Sequence, residues 1–223
     1  MIEVVIYGAS GQARSICENI IGQSKYPHLR AVALIDDEAG EGAGDFAGIP
    51  IIGPQRWLTN HREARVILGI GSTAGKRRLA ARVAEAGIAF LEPVMDETVA
   101  VRSGVAMGVG SYIGYGTYVG PGCTIGKHVA VMTNSSLGHD VVIGDFCTIC
   151  PTTTISGHVT IEEGAFLGAG SVIVNGTASR PLVIGRDATI AAGSVVTKSV
   201  PPGLTVMGNP ARPLRSLARR GGA

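Results

Sequence analysis

His139 and Asp140 are adjacent in an otherwise aliphatic stretch, and a second histidine, His158, follows Asp140 after eighteen residues. An imidazole exchanges a proton near neutral pH, and a neighbouring carboxylate fixes its tautomer and supports the cation. That pairing is what a general base requires. The spacing fits equally a solvated turn histidine beside an aspartate, with His158 as a structural partner of Asp140. A metal site built from three histidines would also need His128. Its offset of 11 residues from His139 turns it to another side of the protomer, so no metal is expected.

The elements that must position these residues show in a strict period. From Val101 to Ile173 an aliphatic anchor recurs at every sixth position, through Met107, Ile113, Val119, Ile125, Val131, Leu137, Ile143, Ile149, Ile155, Ile161 and Leu167. Four residues after each anchor stands a small or β-branched residue, and glycine often follows the anchor directly. No helix has this period; a short strand plus a tight turn does, and a fixed short period predicts a solenoid. Three hexads make one turn of a three-sided prism, so residues eighteen apart stack at roughly 4.8 Å. Asp140 and His158 therefore share one column, and His139 shares another with Gly157 and Asn175. The register breaks once, where Ile173 to Ile184 spans eleven residues instead of six. The extra residues, around Asn175 to Pro181, are expected to bulge out as a loop.

The first hundred residues read differently. Val4 to Tyr7 is an apolar strand running into Gly8-Ala9-Ser10-Gly11 and a helix-like stretch from Gln12 to Ile21. Ala31 to Ile35 is a second strand ending at Asp36-Asp37, Val66 to Ile70 a third ending at Gly71-Ser72-Thr73, and Lys76 to Ala86 a helix. Alternating strands and helices predict a parallel, doubly wound sheet. A glycine turn before a helix N-terminus accommodates phosphate, and an acid at the end of the second strand can accept from a ribose or base. The full dinucleotide fingerprint is missing, and the stretch makes only half of the usual fold. A nucleotide-linked substrate fits it better than redox chemistry; a ligand-free tight turn remains the alternative. The expected domains are 1–95, a Rossmann-like nucleotide-sugar-binding unit; 96–207, the coil; and 208–223, a tail.

Composition bounds the rest. Hydrophobic residues make 45% of the chain and charged residues 16%, enough for a substantial core, while 33 glycines suit a turn-rich coil. A net charge of +2 gives no case for a nucleic-acid partner. The basic run from Arg212 to Arg220 reads as a solvated tail with a minor role toward phosphates. No apolar run reaches the length of a membrane span, and the opening MIEVVIYG reads as a strand rather than a signal peptide. The four cysteines lack disulfide spacing, which predicts reduced thiols and a cytoplasmic location.

Together the GASG turn, the Ile-Asp-Asp strand end, the repeat over 101–200, Gly-His-Asp-Val-Val-Ile-Gly-Asp-Phe at 138–146 and Met-Gly-Asn-Pro-Ala-Arg at 207–212 resemble the hexapeptide-repeat sugar acetyltransferases of the PglD, NeuD and PerB family. The resemblance covers nearly the whole chain. It implies an N-terminal Rossmann-like half domain followed by a left-handed parallel β-helix, and a homotrimer with acetyl-CoA as co-substrate lying between coils. It implies acetylation of a nucleotide-linked amino-deoxy sugar, a 4-amino sugar, with His139 as base and Asp140 as its partner. A sugar O-acetyltransferase of the sialic-acid type and a non-catalytic sugar-nucleotide-binding protein are the alternatives. Gly8, Ser10, Gly11, Asp36, Asp37, Gly71 and Ser72 match the nucleotide-sugar pocket. For acetyl-CoA the expected residues are His158, backbone N–H groups around Gly168, Gly170, Ala192 and Gly193, and the cations Lys198 and Arg212. Gln12, Met132 and Thr148 depart from family positions where histidine, asparagine and histidine are common, and His158 stands where asparagine is frequent.

Overall fold

The computed structural model describes residues 1–22, 24–40 and 43–214. The part of the basic tail from 215 onward lies outside the described residues.

The N-terminal unit runs β1 (Ile2–Tyr7), α1 (Gly11–Ile21), β2 (Leu29–Ile35), β3 (Asp45–Phe46), β4 (Ile49–Ile52), α2 (Pro54–Asn60), β5 (Arg65–Leu68) and α3 (Thr73–Glu85). The sheet order is β3-β4-β2-β1-β5, parallel except for the β3–β4 hairpin. Side chains of β1, β2 and β5 alternate between two cores. One packs Ala13, Ile16 and Ile20 of α1; the other packs Trp57 of α2 and Leu79 and Val83 of α3. This is the expected doubly wound arrangement. The hairpin and α2 are additions that the sequence reading did not contain.

Beyond Leu91 the chain winds into a parallel β-helix. Strands of two or three residues stack into three sheets whose partners lie eighteen residues apart until the insertion. The first face carries the strands ending at Val101, Val119, Leu137, Ile155, Ile173 and Val196. The second carries those ending at Met107, Ile125, Ile143, Ile161 and Ile184, and the third those through Ile113, Val131, Ile149, Leu167 and Ile190. The coil starts on the third face with Val94–Met95, which pairs with Tyr112–Ile113.

Anchors from Ile113 to Ile190 are buried in one continuous core. The first two are not: Val101 is 38% exposed and Met107 half-buried, because the terminal coil has no coil beneath it. The fourth-position residues have a second task. Thr117, Cys123, Ser135 and Cys147 each donate from the side chain to the carbonyl fifteen residues on, tying one coil to the next. The third residue after most anchors is left-handed. Glycine fills this place at Gly104, Gly110, Gly116, Gly122, Gly164, Gly170 and Gly193; His128, Asn134, Asp140, Phe146, Thr152, His158 and Asp187 fill the others. Asn, Asp and His tolerate this region, whereas Phe and Thr are strained in it. The insertion after Ile173 forms a small turn closed by Thr177 and Arg180, which exchange both backbone hydrogen bonds.

The N-terminal unit lies on the third face. Asn19 of α1 bonds the Tyr112 hydroxyl at 3.2 Å, and Thr73 of α3 donates to Gly164 O at 3.0 Å. Between them Lys76 is 1% exposed, and its ammonium donates to Cys147 O (2.8 Å), Thr148 Oγ1 (2.8 Å) and His128 O (3.3 Å). Burial pulls its pKa down to about 7. Arg77 adds ion pairs to Glu163 and Asp187.

Candidate active site

His139 and Asp140 sit where the chain turns from the first face to the second. The turn holds Asp140 at φ 55°, and one coil on it holds His158 at φ 54° in the same column. The two columns are pinned by ladder bonds: His158 N–H donates to His139 O at 3.1 Å, and Asp140 N–H to Pro121 O at 2.9 Å. The stacking deduced from the spacing is therefore present.

His139 Nδ1 lies 2.8 Å from Asp140 Oδ2. An ionised carboxylate only accepts, so Nδ1 carries the proton and Nε2 keeps its lone pair. His158 Nδ1 lies 3.8 Å from the same Oδ2, and the two imidazoles meet edge to face with centroids 4.8 Å apart. One carboxylate oxygen thus faces two imidazoles. The ring of His139 rests over Gly157, where a Cβ would collide with Nε2, Cε1 and Cδ2. The arrangement can take a proton from a nucleophile at the open edge of the prism.

Other titratable groups of the coil are not placed for this chemistry. His128 is buried between Phe90 and Phe146, and burial lowers its pKa to about 4. Cys147 is buried with its thiol pushed up to about 11 by burial, so it is no nucleophile. Cys150 is half-buried, and burial raises its pKa.

In the N-terminal unit, Gly8, Ser10, Asp36 and Asp37 line a cleft of about 220 Å³ together with Tyr7 and Arg78. Gly8 has φ 131° and faces Gly69 O so closely that a Cβ has no room. Gly11 is open, with nothing within 4 Å of a Cβ. Ser10 donates to Gly69 O at 3.2 Å and makes no side-chain cap bond to α1. Asp37 is already engaged: it accepts from the Tyr7 hydroxyl and from Arg82, both at 2.8 Å. Asp36 accepts from Glu38 N–H through one oxygen. Gly71 and Ser72 do not line this cleft themselves, although Ile70 just before them does. Ser72 caps α3 by accepting from Gly75 N–H, and Gly71 O accepts from Thr148 Oγ1. Thr148, in place of a family histidine, is thus a joint between the two units. Gln12 and Met132 line one small cleft between α1 and the coil, with Tyr112 and Thr133.

The residues expected at acetyl-CoA divide between two edges. Lys198 follows Val196 as His139 follows Leu137, so both lie on the edge between the first and second faces, three coils apart. At the usual strand spacing that is about 14 Å. Gly168, Gly170, Ala192 and Gly193 lie on the edge between the third and first faces. The expected free donors at three of them are absent. Gly168, Gly170 and Gly193 donate their N–H groups to Ile190 O, Pro151 O and Ala169 O within the ladder. Gly168 is small because the backbone at Ala191 and Ala192 passes directly against it. Arg212 is exposed on a short antiparallel strand, and Ala211 beside it donates to Val195 O.

Sequence reasoning missed Lys76, Arg82 and Arg78. A lysine and two arginines in a helical stretch carry no signal that they turn toward a domain joint or a cleft.

Comparison with known proteins agrees with this architecture. Residues 3–83 match the PglD N-terminal domain model. Residues 122–157 and 140–175 match the bacterial transferase hexapeptide model, and 158–198 the hexapeptide repeat of succinyl-transferase. WeeI from Acinetobacter baumannii AYE superposes with a TM-score of 0.85 at 31% identity, over 96% of this chain and 100% of that one. The acetyltransferase domain of PglB from Neisseria gonorrhoeae FA1090, solved in complex with acetyl coenzyme A, gives 0.83 at 25% identity over 95% and 98%. GDP-perosamine N-acetyltransferase of Escherichia coli O157:H7 is 43% identical over 91 residues, so the match spans 41% of each chain, less than half of that curated relative. The chain belongs to the PglD, NeuD and PerB family of hexapeptide-repeat sugar acetyltransferases, and its coil is a left-handed parallel β-helix.

Proposed function

We propose that this chain transfers the acetyl group of acetyl-CoA to the amine of a nucleotide-linked amino-deoxy sugar, a 4-amino sugar. The observation that carries the reading is the His139–Asp140 pair, with Nδ1 fixed at 2.8 Å from Oδ2 and Nε2 left as the base. The relative that acetylates GDP-perosamine and the neighbour that binds acetyl coenzyme A support the substrate pair. The amine attacks the thioester carbonyl directly. His139 Nε2 takes the amine proton, the C–S bond breaks as the tetrahedral intermediate collapses, and the departing thiolate takes a proton from the imidazolium. Asp140 stabilises that imidazolium while it exists. No acyl-enzyme is needed, because amine and thioester are held side by side.

The domain arrangement supports a homotrimer. The nucleotide cleft belongs to a unit seated on the third face, whereas His139 stands on the edge between the other two faces, across the prism. A sugar held by one protomer's cleft reaches the base of a neighbouring copy. The N-terminal cleft binds the nucleotide through Gly8, Ser10, Gly11 and Asp36; Asp37 acts as a buttress with Tyr7 and Arg82. Lys198, on the His139 edge, is placed for a CoA phosphate. Among the described residues no helix is long and apolar enough to cross a membrane, and a cytoplasmic site of action fits this chemistry.

Thiol release from acetyl-CoA across UDP-, GDP- and dTDP-linked 4-amino sugars tests the reading. Turnover with one series supports it and names the base. No release with any series, together with release on unactivated sugars, moves the activity to O-acetylation.

A further inference from the structure

We propose that His139, Asp140 and His158 together form a site for a transition-metal dication of the zinc class, and that occupancy of this site silences the base. Each residue offers one ligand atom, and these atoms lie within 4.8 Å of one another. Two imidazoles and one carboxylate are the donor set that such ions prefer, whereas magnesium and calcium prefer oxygen throughout. Tetrahedral zinc with bonds of about 2.0–2.1 Å sets its ligands roughly 3.3 Å apart. The Asp140 oxygen lies 2.8 Å from one imidazole nitrogen and 3.8 Å from the other, on either side of that value. The remaining edge closes if the two rings approach by about 1.5 Å, which half-exposed side chains achieve by a small χ rotation.

The backbone favours the site as well. Asp140 and His158 are both held left-handed in consecutive turns of one column, which fixes their Cβ atoms one coil apart. His158 makes the difference: with asparagine there, only one imidazole would remain beside Asp140. His139 would bind through Nδ1, the nitrogen that faces Asp140 Oδ2. Coordination displaces the Nδ1 proton, and the neutral ring then carries its one proton on Nε2. His139 can then no longer act as a base there.

Zn²⁺ titrated by calorimetry into the tag-free, chelator-stripped full chain tests the site. The expected result is one ion per chain, with affinity falling by roughly 10-fold or more in both His158→Asn and His139→Asn. Circular dichroism shows that each variant is folded. No zinc-dependent heat, wild-type affinity in either variant, or equal affinity for Mg²⁺ overturns the proposal. Silencing rests on the acetyltransferase reading and is read separately, as thiol release lost on adding Zn²⁺ and restored by EDTA. Zinc bound at this site with thiol release undiminished overturns the silencing. Zinc binding in a chain that never releases thiol, with or without chelator, supports the site and counts against the acetyltransferase reading.

Discussion

The imidazole of His139 rests on Gly157, its successor in the same column, at a place where a single added carbon would occupy the ring's position. Gly157 is not one of the left-handed glycines, so the backbone itself accepts alanine. Gly157→Ala should therefore leave the coil intact and displace the base. A shift of about 1 Å costs on the order of 10²-fold in turnover. Steady-state kinetics beside a melting curve check this: kcat falls, Tm holds. An unchanged kcat would mean that the ring position does not matter.

His128 gives the fold an acid limit. Burial lowers its pKa from 6.5 to about 4, so between these values the unfolded chain binds a proton that the folded chain refuses. The contribution is present above pH 6.5 and is lost as pH falls toward 4, by up to about 3 kcal/mol. Denaturant midpoints across this window should decline more steeply in the wild type than in His128→Phe. Parallel curves would exclude His128 as the cause.

Lys76 joins the two units through three acceptors. Lys76→Met keeps the stem and removes the donor to His128 O, while Cys147 O keeps the Ala130 N–H and Thr148 Oγ1 keeps its bond to Gly71 O. A buried acceptor left unpaired costs about 1–3 kcal/mol. Thermal unfolding should show the loss; a Tm equal to the wild type would contradict it.

Lys198 is exposed and stands on the His139 edge. Lys198→Ala should raise the KM for acetyl-CoA by up to about fivefold, the equivalent of roughly 1 kcal/mol for a surface ion pair, with kcat unaltered. A KM that does not move removes Lys198 from the phosphate site.

The coil was legible because its side-chain period is imposed by geometry. Anchors must point inward every six residues, and so the meeting of Asp140 with His158 follows from counting. The glycine turn and the Asp36–Asp37 strand end were legible for the same local reasons. What was not legible depends on contacts between distant segments. Asp37 reads as a free ribose acceptor until Arg82, from another helix, is found paired with it. Gly168 and Gly193 read as donors to a ligand until the ladder is seen to use their N–H groups. Thr148 reads as a lost histidine and proves to be where Lys76 and Gly71 meet the coil.

The most direct test compares His139→Asn with the wild type in thiol release from acetyl-CoA, using the amino sugar nucleotide that the wild type accepts. A positioned base contributes roughly 10²–10⁴-fold. The account predicts a kcat lower by that factor, with elution volume and melting temperature unchanged. Equal turnover in the variant would contradict the assignment of His139 as the base.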